Sequence, residues 1–512
     1  MKYDIAIFGG GIGGVQAATS ACAMGCTVYL SEETDWLGGQ LSSQGVPPDE
    51  HPWIEQQGAT KRYLDYRKQV RNYYKNRTDA TVETKQNEEL HIGNSWVSHL
   101  CHEPMVAAKL LAQQLEPYEK KGLLTIDFET KMLDCKVISD TIDKVIVTNG
   151  KEEKEIIADY YLDATECGDL LPLSGTEYHV GAEAKMDTNE PSAPEVADVA
   201  DMQPITWVAA LELFQEEAPE MEKPAMYDAF VKTGVPYGEN KLFSWEYFSD
   251  ATQQTVSLRM LDNELGDGKR GFWSYRRVLD PKQFQNVKNE MSLLNWPQND
   301  YRLGNVFDTN DAPIHLEMAK QQTLCFAYWL RYDAPRSDGG TGYPVALCKE
   351  TFGTENGLAK APYIRESRRI VAHHIICEQE VSRSILDKPT IYEDSVGVGS
   401  YAMDLHPTTR SHRSYYAATW PFEIPLGALL PIRIKNLLPA CKNIGTTHMT
   451  NGCYRLHPVE WNVGESVGYL AGFCVKNNVT PEKVWKERCS EFLQMLEENG
   501  IQRHWDFKDM DI

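Results

Sequence analysis

The chain has 512 residues, of which 42% are hydrophobic and 24% are charged, and its formal net charge at pH 7 is −23. This composition is typical of a folded protein long enough for two domains, and the acidic charge disfavours nucleic acid or an anionic membrane as a partner. No apolar run approaches the ~20 residues that span a bilayer, and Asp4 stands where the apolar region of a signal peptide would begin, so we expect no membrane partner and a cytoplasmic location.

A glycine-rich turn follows the first predicted strand. The apolar run from Tyr3 to Phe8 leads into Gly9-Gly10-Gly11-Ile12-Gly13-Gly14, and the small residues at 15–21 predict a helix after it. This is the spacing G-x-G-x-x-G, in which the glycines allow a tight turn, close approach of a phosphate and close packing of the helix. A turn with only a structural role is the alternative. The strand and helix around it favour a dinucleotide whose pyrophosphate contacts Gly9, Gly11, Gly13 and Gly14.

An acidic pair ends the second predicted strand. Residues 27–30 read as that strand, and Glu32 and Glu33 follow it about 20 residues after the turn. A carboxylate at this distance can accept hydrogen bonds from both hydroxyls of an adenosine ribose. Side-chain alternation along the strand favours Glu32, and Glu33 is the second candidate.

Several later segments resemble the FAD-dependent oxidoreductases, the glutathione-reductase-like and fumarate-reductase-related flavoproteins, and in particular the branch described as related to xanthan lyase. They are residues 35–40 with a Gly-Gly turn, 161–170 with Ala-Thr-x-x-Gly-Asp, 362–370, Asp404-Leu405-His406-Pro407, and 436–445 with the helix from Pro458 to Phe473. The resemblance implies FAD as the cofactor, with the start of that helix near the pyrimidine side of the flavin. It also implies cofactor contacts from Gly38, Gly39, Gln40, Ala164, Thr165, Gly168 and Gly445.

The implied architecture is α/β. A discontinuous Rossmann-like FAD-binding domain would comprise residues 1–45, 97–175 and 433–475. Residues 46–96 and 176–432 would form inserts, the larger an α+β substrate domain, and 476–512 a C-terminal helical segment. No second G-x-G-x-x-G is present, so NAD(P)H would need to reach the flavin without a domain of its own.

Proton-carrying and anion-binding side chains are the remaining candidates. Of the histidines His51, His406, His448 and His457, we favour His448 and His406 as acid or base, and a structural hydrogen bond is the alternative for each. Residues 365–369, Arg-Glu-Ser-Arg-Arg, read as consecutive helical turns whose charges pair at i,i+3 or i,i+4. Arg365 and Arg455 could instead bind an oxygen-rich substrate.

The twelve cysteines contain no C-x-x-C, so we expect free thiols and no metal. The leading hypothesis is hydride transfer between flavin N5 and a small polar organic substrate: a hydroxyl, an amine or an activated alkene. The alternatives are a flavin monooxygenase or halogenase, and an electron-transfer subunit without a small-molecule substrate. The direction of transfer, the electron acceptor or donor, and a possible homo-oligomer stay open.

Overall fold

The computed structural model describes residues 2–234, 241–249, 254–508 and 510. Its strands, in chain order, are β1 (Lys2–Phe8), β2 (Val28–Ser31), β3 (Leu124–Asp127), β4 (Lys131–Ile138), β5 (Thr141–Thr148), β6 (Glu153–Asp163), β7 (Tyr178–His179), β8 (Ile205–Thr206), β9 (Ala209–Leu213), β10 (Glu246–Ser249), β11 (Gln254–Ser257), β12 (Arg277–Leu279), β13 (Glu290–Leu294), β14 (Asp300–Tyr301), β15 (Val345–Leu347), β16 (Arg369–Ile370), β17 (Ser395–Gly399), β18 (Met403–Leu405), β19 (Tyr415–Ala417), β20 (Phe422–Pro425) and β21 (Leu437–Pro439). Its α-helices are α1 (Ile12–Ala23), α2 (Lys61–Lys75), α3 (Val82–Gln86), α4 (Pro104–Lys120), α5 (Leu170–Ser174), α6 (Lys185–Thr188), α7 (Tyr227–Phe230), α8 (Ala312–Tyr332), α9 (His448–Tyr454), α10 (His457–Asn477), α11 (Pro481–Glu487) and α12 (Cys489–Glu498).

A mainly parallel sheet organises the first part of the chain. The strands β3, β2, β1, β6 and β21 lie side by side and run parallel. The first residues of β6 also pair antiparallel with β5, which pairs with β4. Because parallel strands end at the same edge, the segments after β1, β2, β6 and β21 meet there. The predicted α/β class with a Rossmann-like sheet is confirmed.

The helices α1 and α10 pack closely against each other, and both contact β1 of this sheet. A Cβ atom added to Gly464 of α10 would collide with the backbone of Gly13, and one added to Gly468 would collide with that of Ala17. The small residues of α1 therefore serve helix packing as well as the turn. This contact fixes the start of α10 beside the start of α1.

The larger insert has sheets of its own. The strands β12, β13, β9 and β15 form an antiparallel sheet, and α8 contacts it at β15 and β9. The smaller insert, at 46–96, holds α2 and α3, and Tyr63 and Tyr66 of α2 pack on Trp461 of α10. The predicted domain boundaries stay a prediction.

One local prediction was wrong: residues 365–368 form no helix and lead into β16. Their backbone groups bond to distant segments, since the Arg368 N–H donates to the Cys167 carbonyl and the Ile370 N–H to the Asn443 carbonyl. The ion pair between Glu366 and Arg369 still forms. The twelve cysteines are free. Among the described residues, no helix is both long and apolar enough to cross a membrane.

Candidate functional site

The glycine turn after β1 is shaped to receive an anion. Gly9 has a φ of +98°, which L side chains rarely adopt, and a Cβ added to Gly11 would lie 3.0 Å from Glu166 Oε1. The N-cap residue of α1, Gly11, has no side chain, and the first turn carries no acidic residue. The Glu460 carboxylate, from α10, accepts from the Gly13 N–H over 3.3 Å. The other first N–H groups of the helix have the arrangement that binds a pyrophosphate.

Glu32 lies against this turn. Its Oε2 accepts a hydrogen bond from the Gly10 N–H (2.8 Å), and its Oε1 accepts from the N–H and the hydroxyl of Thr34 (2.9 and 2.7 Å). Burial raises the pKa of Glu32 to about 7, although the hydrogen bonds from Thr34 and Gly10 oppose the shift. Glu33 is exposed on the surface. The structure thus places Glu32, the favoured candidate, at the turn.

The second glycine turn, at Gly38 and Gly39, lies against the glycine turn that follows β1. Gly38 and Gly39 have φ of +112° and +48°, and the Gly38 N–H donates to the Gly10 carbonyl over 2.8 Å. Gln40, the next residue, donates through Nε2 to Glu460 Oε2 (2.5 Å) and to the Arg455 carbonyl (3.1 Å). These contacts join the segment after β2 to the start of α10.

The other predicted cofactor residues separate into two groups. Ala164 and Thr165 follow β6 directly, and their backbone lies against Gly9, while Gly168 has a φ of +67°. Gly445 instead packs against the backbone of residue 374 and the side chain of Ala372. It lies apart from the glycine turn.

A buried lysine beside the turn was missed by sequence reasoning. Lys442, just after β21, is ion-paired with Glu166, and its Nζ lies 3.9 Å from Glu460 Oε2. Ligand atoms of Glu166, Cys441 and Glu460 lie within 4.8 Å of one another, a spacing that suits a metal ion. The Lys442 ammonium supplies a positive charge there.

Unpartnered acceptors test whether this region fits FAD. Among the described atoms, Oε1 of Gln40, Oε1 of Gln44, Oε1 of Glu166 and Oδ1 of Asn451 are buried without a hydrogen-bond partner. Such atoms are unfavourable unless a donor reaches them. The ribityl hydroxyls and the ring N–H of FAD are donors. Together with the glycine turn and Glu32, these residues fit the cofactor.

A second feature is a cavity of about 220 Å³ that is lined by residues of both inserts and by Arg455 at the end of α9. Six of its lining residues carry ionisable side chains: Asp49, Arg276, Arg365, Asp404, His406 and Arg455. Six others are aromatic: Trp96, Phe272, Tyr275, Trp296, Tyr363 and Tyr401. Three predicted catalytic residues, from separate parts of the sequence, thus line one cavity.

His406 is held between two carboxylates. Its Nδ1 lies 2.6 Å from Asp300 Oδ2, and its Nε2 lies 3.5 Å from Asp404 Oδ2. Burial and Arg365 lower the pKa of His406, but Asp300 and Asp404 outweigh them, so its pKa lies above the ordinary value of 6.5. The pKa of Asp300 is lowered despite its burial, by Arg365 and His406. Asp300 is therefore ionised and His406 carries its proton on Nδ1.

Each arginine of the cavity has a carboxylate partner. Arg276 lies 3.3 Å from Asp49, and the nearest atoms of Arg365 and Asp300 are 2.8 Å apart. Arg455 Nη2 lies 3.6 Å from Asp404, and its Nη1 donates to the Tyr363 hydroxyl over 2.5 Å. All three arginines are less than 10% exposed. The pairs keep these buried charges balanced.

The other candidate histidines lie outside this lining. His448, at the start of α9, contacts Glu366 Oε1 through Nδ1 at 2.8 Å. His51 Nε2 lies 3.1 Å from the Gly58 carbonyl, and its ring packs on Trp53 and Trp505. His457 accepts from the Asp49 N–H, and burial lowers its pKa to about 4.

Sequence reasoning did not single out Asp300, Asp49 or Arg276. Asp300 stands 106 positions before His406, so only the tertiary structure brings them together. The signal for Asp404 was present, because it stands two residues before His406 in the quoted motif.

Comparison with known proteins identifies a matching family and several solved structures that are only distantly similar to this chain. The family model described as FAD dependent oxidoreductase matches residues 4–495. None of the curated proteins matches the chain. The p-nitrophenol 4-monooxygenase PnpA from Pseudomonas putida DLL-E4 is 9% identical, with a TM-score of 0.37, over 99% of this chain and 91% of that one.

Two further solved structures also have low sequence identity to this chain and low TM-scores. A geranylgeranyl bacteriochlorophyll reductase-like protein from Thermoplasma acidophilum is 10% identical, with a TM-score of 0.32, over 98% of this chain and 88% of that one. The L-proline dehydrogenase from P. horikoshii is 18% identical, with a TM-score of 0.19, over 36% of this chain and 24% of that one. The chain thus matches about a quarter of that dehydrogenase's length. At such TM-scores these likenesses carry no argument about the reaction.

Proposed function

Because the chain belongs to the FAD dependent oxidoreductase family, we propose that it transfers a hydride between flavin N5 and a small polar organic substrate bound in the cavity beside His406. The observation that carries the proposal is the meeting of His406, Arg365 and Arg455 in the lining of one cavity. An acid or base next to hydrogen-bond donors is the arrangement such a substrate requires.

The residues after β1, β2, β6 and β21 would hold the cofactor. Gly9, Gly11 and Gly14 would cradle the pyrophosphate at the start of α1, and Glu32 would accept from the adenosine ribose. Gln40 and Gln44 offer acceptors to the ribityl chain. When bound, FAD supplies two-electron chemistry by accepting or donating a hydride.

His406 would move the proton. With Nδ1–H donated to Asp300, the neutral ring keeps a lone pair on Nε2. In the oxidising direction Nε2 takes the proton of a substrate hydroxyl while the C–H hydrogen leaves as hydride, and a carbonyl forms. Arg455 and Arg365 would orient the substrate's oxygen atoms. Asp300 acts through His406 and is a positioning residue.

The proposal is tested with the purified protein containing its flavin. Under anaerobic conditions the oxidised protein is mixed with polyols, sugars, amines and hydroxy acids, and the dithionite-reduced protein with enoates and quinones. Bleaching by the first panel supports oxidation, and return of the flavin absorbance with the second supports reduction. If neither panel acts and a protein copurifies in stoichiometric amount, the electron-transfer function replaces this one.

A further inference from the structure

The lining of the cavity divides into an aromatic part and a charged part. Trp96, which is 45% exposed, packs on Tyr275 with ring centroids 4.4 Å apart. Deeper in, Phe272 packs on Trp296 at 5.0 Å. Aromatic faces of this kind suit a ligand with a flat apolar face. The charged side chains of the lining instead suit a ligand that carries many polar groups.

The charges of the lining are already paired. Arg276 with Asp49, Arg365 with Asp300 and Arg455 with Asp404 leave no guanidinium of the described lining without a carboxylate. An anionic ligand would meet two carboxylates of the lining, Asp49 and Asp404, as well as the arginines. Electrostatic repulsion from these carboxylates would offset the attraction to the arginines. The lining therefore favours an uncharged ligand.

A hydroxyl group matches a guanidinium–carboxylate pair. It can donate to the carboxylate and accept from the guanidinium at the same time, whereas an ionised carboxylate only accepts. Nε of Arg276, Nε of Arg455 and Nδ2 of Asn295 are buried donors without a partner among the described atoms. Oxygen acceptors on a ligand, or waters that it orders, would satisfy them. Adjacent hydroxyls on one ring suit such pairs best.

The size of the cavity limits the ligand to one ring. Its volume of about 220 Å³ lies below the roughly 300–1,000 Å³ of pockets that hold drug-sized molecules. We propose that the cavity binds an uncharged single-ring polyol, such as a monosaccharide in its pyranose form, with its C–H face on the aromatic rings and its hydroxyls on the Arg–Asp pairs.

This inference rests on the proposed function, since it names the substrate class of the same cavity. One ring hydroxyl is oxidised to a ketone: its O–H proton passes to His406 Nε2, and the hydrogen on its carbon leaves as hydride to bound FAD, the two-electron oxidant. The test uses two measurements on the holoenzyme. The first is anaerobic flavin bleaching by glucose, galactose and myo-inositol, compared with lactate, glycolate and malate.

The second measurement is the affinity of the same compounds for dithionite-reduced holoenzyme, which cannot oxidise them, followed by tryptophan fluorescence. We expect Asp49→Asn to weaken binding of the polyol about tenfold or more, because a charge-assisted hydrogen bond is lost. A carboxylate ligand would instead bind this variant more tightly, because Arg276 would be freed. A polyol ligand and a carboxylate ligand thus predict opposite changes in binding affinity when Asp49 is replaced by Asn.

Trp96→Ala provides a second variant should Asp49→Asn fail to fold. Trp96 is half exposed, so its loss should leave the fold intact and weaken polyol binding about 3- to 10-fold. Tyr118→Ala, which removes a half-buried ring of α4 outside the lining, is the matched control and should change nothing.

The outcomes separate the two proposals. Bleaching by polyols alone, with weaker binding in both cavity variants, supports the inference. Bleaching by the hydroxy acids alone, or tighter acid binding to Asp49→Asn, overturns the polyol inference and leaves the proposed oxidoreductase function standing. Polyol binding without bleaching supports the ligand class and overturns the oxidation. No bleaching and no binding by any of these six compounds overturns the polyol inference, and the amine, enoate and quinone panels described above then decide the proposed function.

Discussion

His406 donates its Nδ1–H to Asp300 over 2.6 Å, and the same carboxylate pairs with Arg365 through its other oxygen. Asp300 is 2% exposed, so both of its ionic partners reach it inside the protein. The arrangement fixes the ring of His406 and leaves Nε2 to face Asp404 and the cavity. A histidine oriented in this way is suited to proton transfer.

We expect His406→Asn to keep its flavin, because His406 is not part of the glycine turn, and to slow the reaction of the flavin with substrate by about 10²–10⁴-fold. Stopped-flow absorbance under anaerobic conditions measures this rate. His448→Asn distinguishes the two favoured histidines. Because His448 contacts Glu366 rather than the cavity lining, its variant should react within a few-fold of the parent. A large loss in His448→Asn with normal rates in His406→Asn would move the proton-handling role to α9.

The pH dependence of the oxidation should follow the same residue. The pKa of His406 lies above 6.5, and its neutral form is the base, so the rate of flavin reduction should rise with pH through a pKa above 6.5. Asp404, whose pKa is lowered to about 2 despite its burial, stays ionised throughout and adds no second step near neutrality. In the reducing direction His406 is the acid, and the rate should fall over the same range. A pH-independent rate in the parent protein would contradict this assignment.

The glycine turn and the position of Glu32 beside it could be predicted from the sequence because their signals are local. Gly9, Gly11, Gly14 and Glu32 lie within one βαβ unit, where spacing alone predicts geometry. The lining of the cavity could be predicted only in part. Asp300 and His406 are 106 positions apart in the sequence, and only the folded chain brings them together. The charge pattern at 365–369 was misread as helical because i,i+3 pairing does not require a helix, as Glu366 and Arg369 show.

The buried ion pair of Arg365 gives a prediction on stability. Arg365→Met would leave Asp300 buried with His406 as its remaining charged partner, so we expect a loss of about 3–5 kcal/mol in the free energy of unfolding. Urea unfolding followed by fluorescence measures the loss. Arg368→Met is the control: the partners of Arg368 are Asp169 and Asp308, whose side chains are 43% and 41% exposed. Water can solvate these carboxylates, so this variant should lose less than half as much.

Glu32 carries the last prediction, on cofactor binding. We expect Glu32→Gln to weaken FAD binding at least about tenfold, because an amide N–H₂ replaces an oxygen that faces only donors: the Gly10 N–H, the Thr34 groups and the ribose hydroxyls. Since burial raises the pKa of Glu32 to about 7, protonation should weaken FAD binding as pH falls from 8 to 6 in the parent protein. The variant should lose that dependence. Flavin fluorescence on titrating the flavin-stripped protein measures both effects, and Glu33→Gln, which alters an exposed carboxylate one residue away, should bind FAD as the parent does. If Glu33→Gln loses the flavin and Glu32→Gln keeps it, the ribose contact belongs to Glu33, and the contacts of Glu32 serve only to hold the glycine turn.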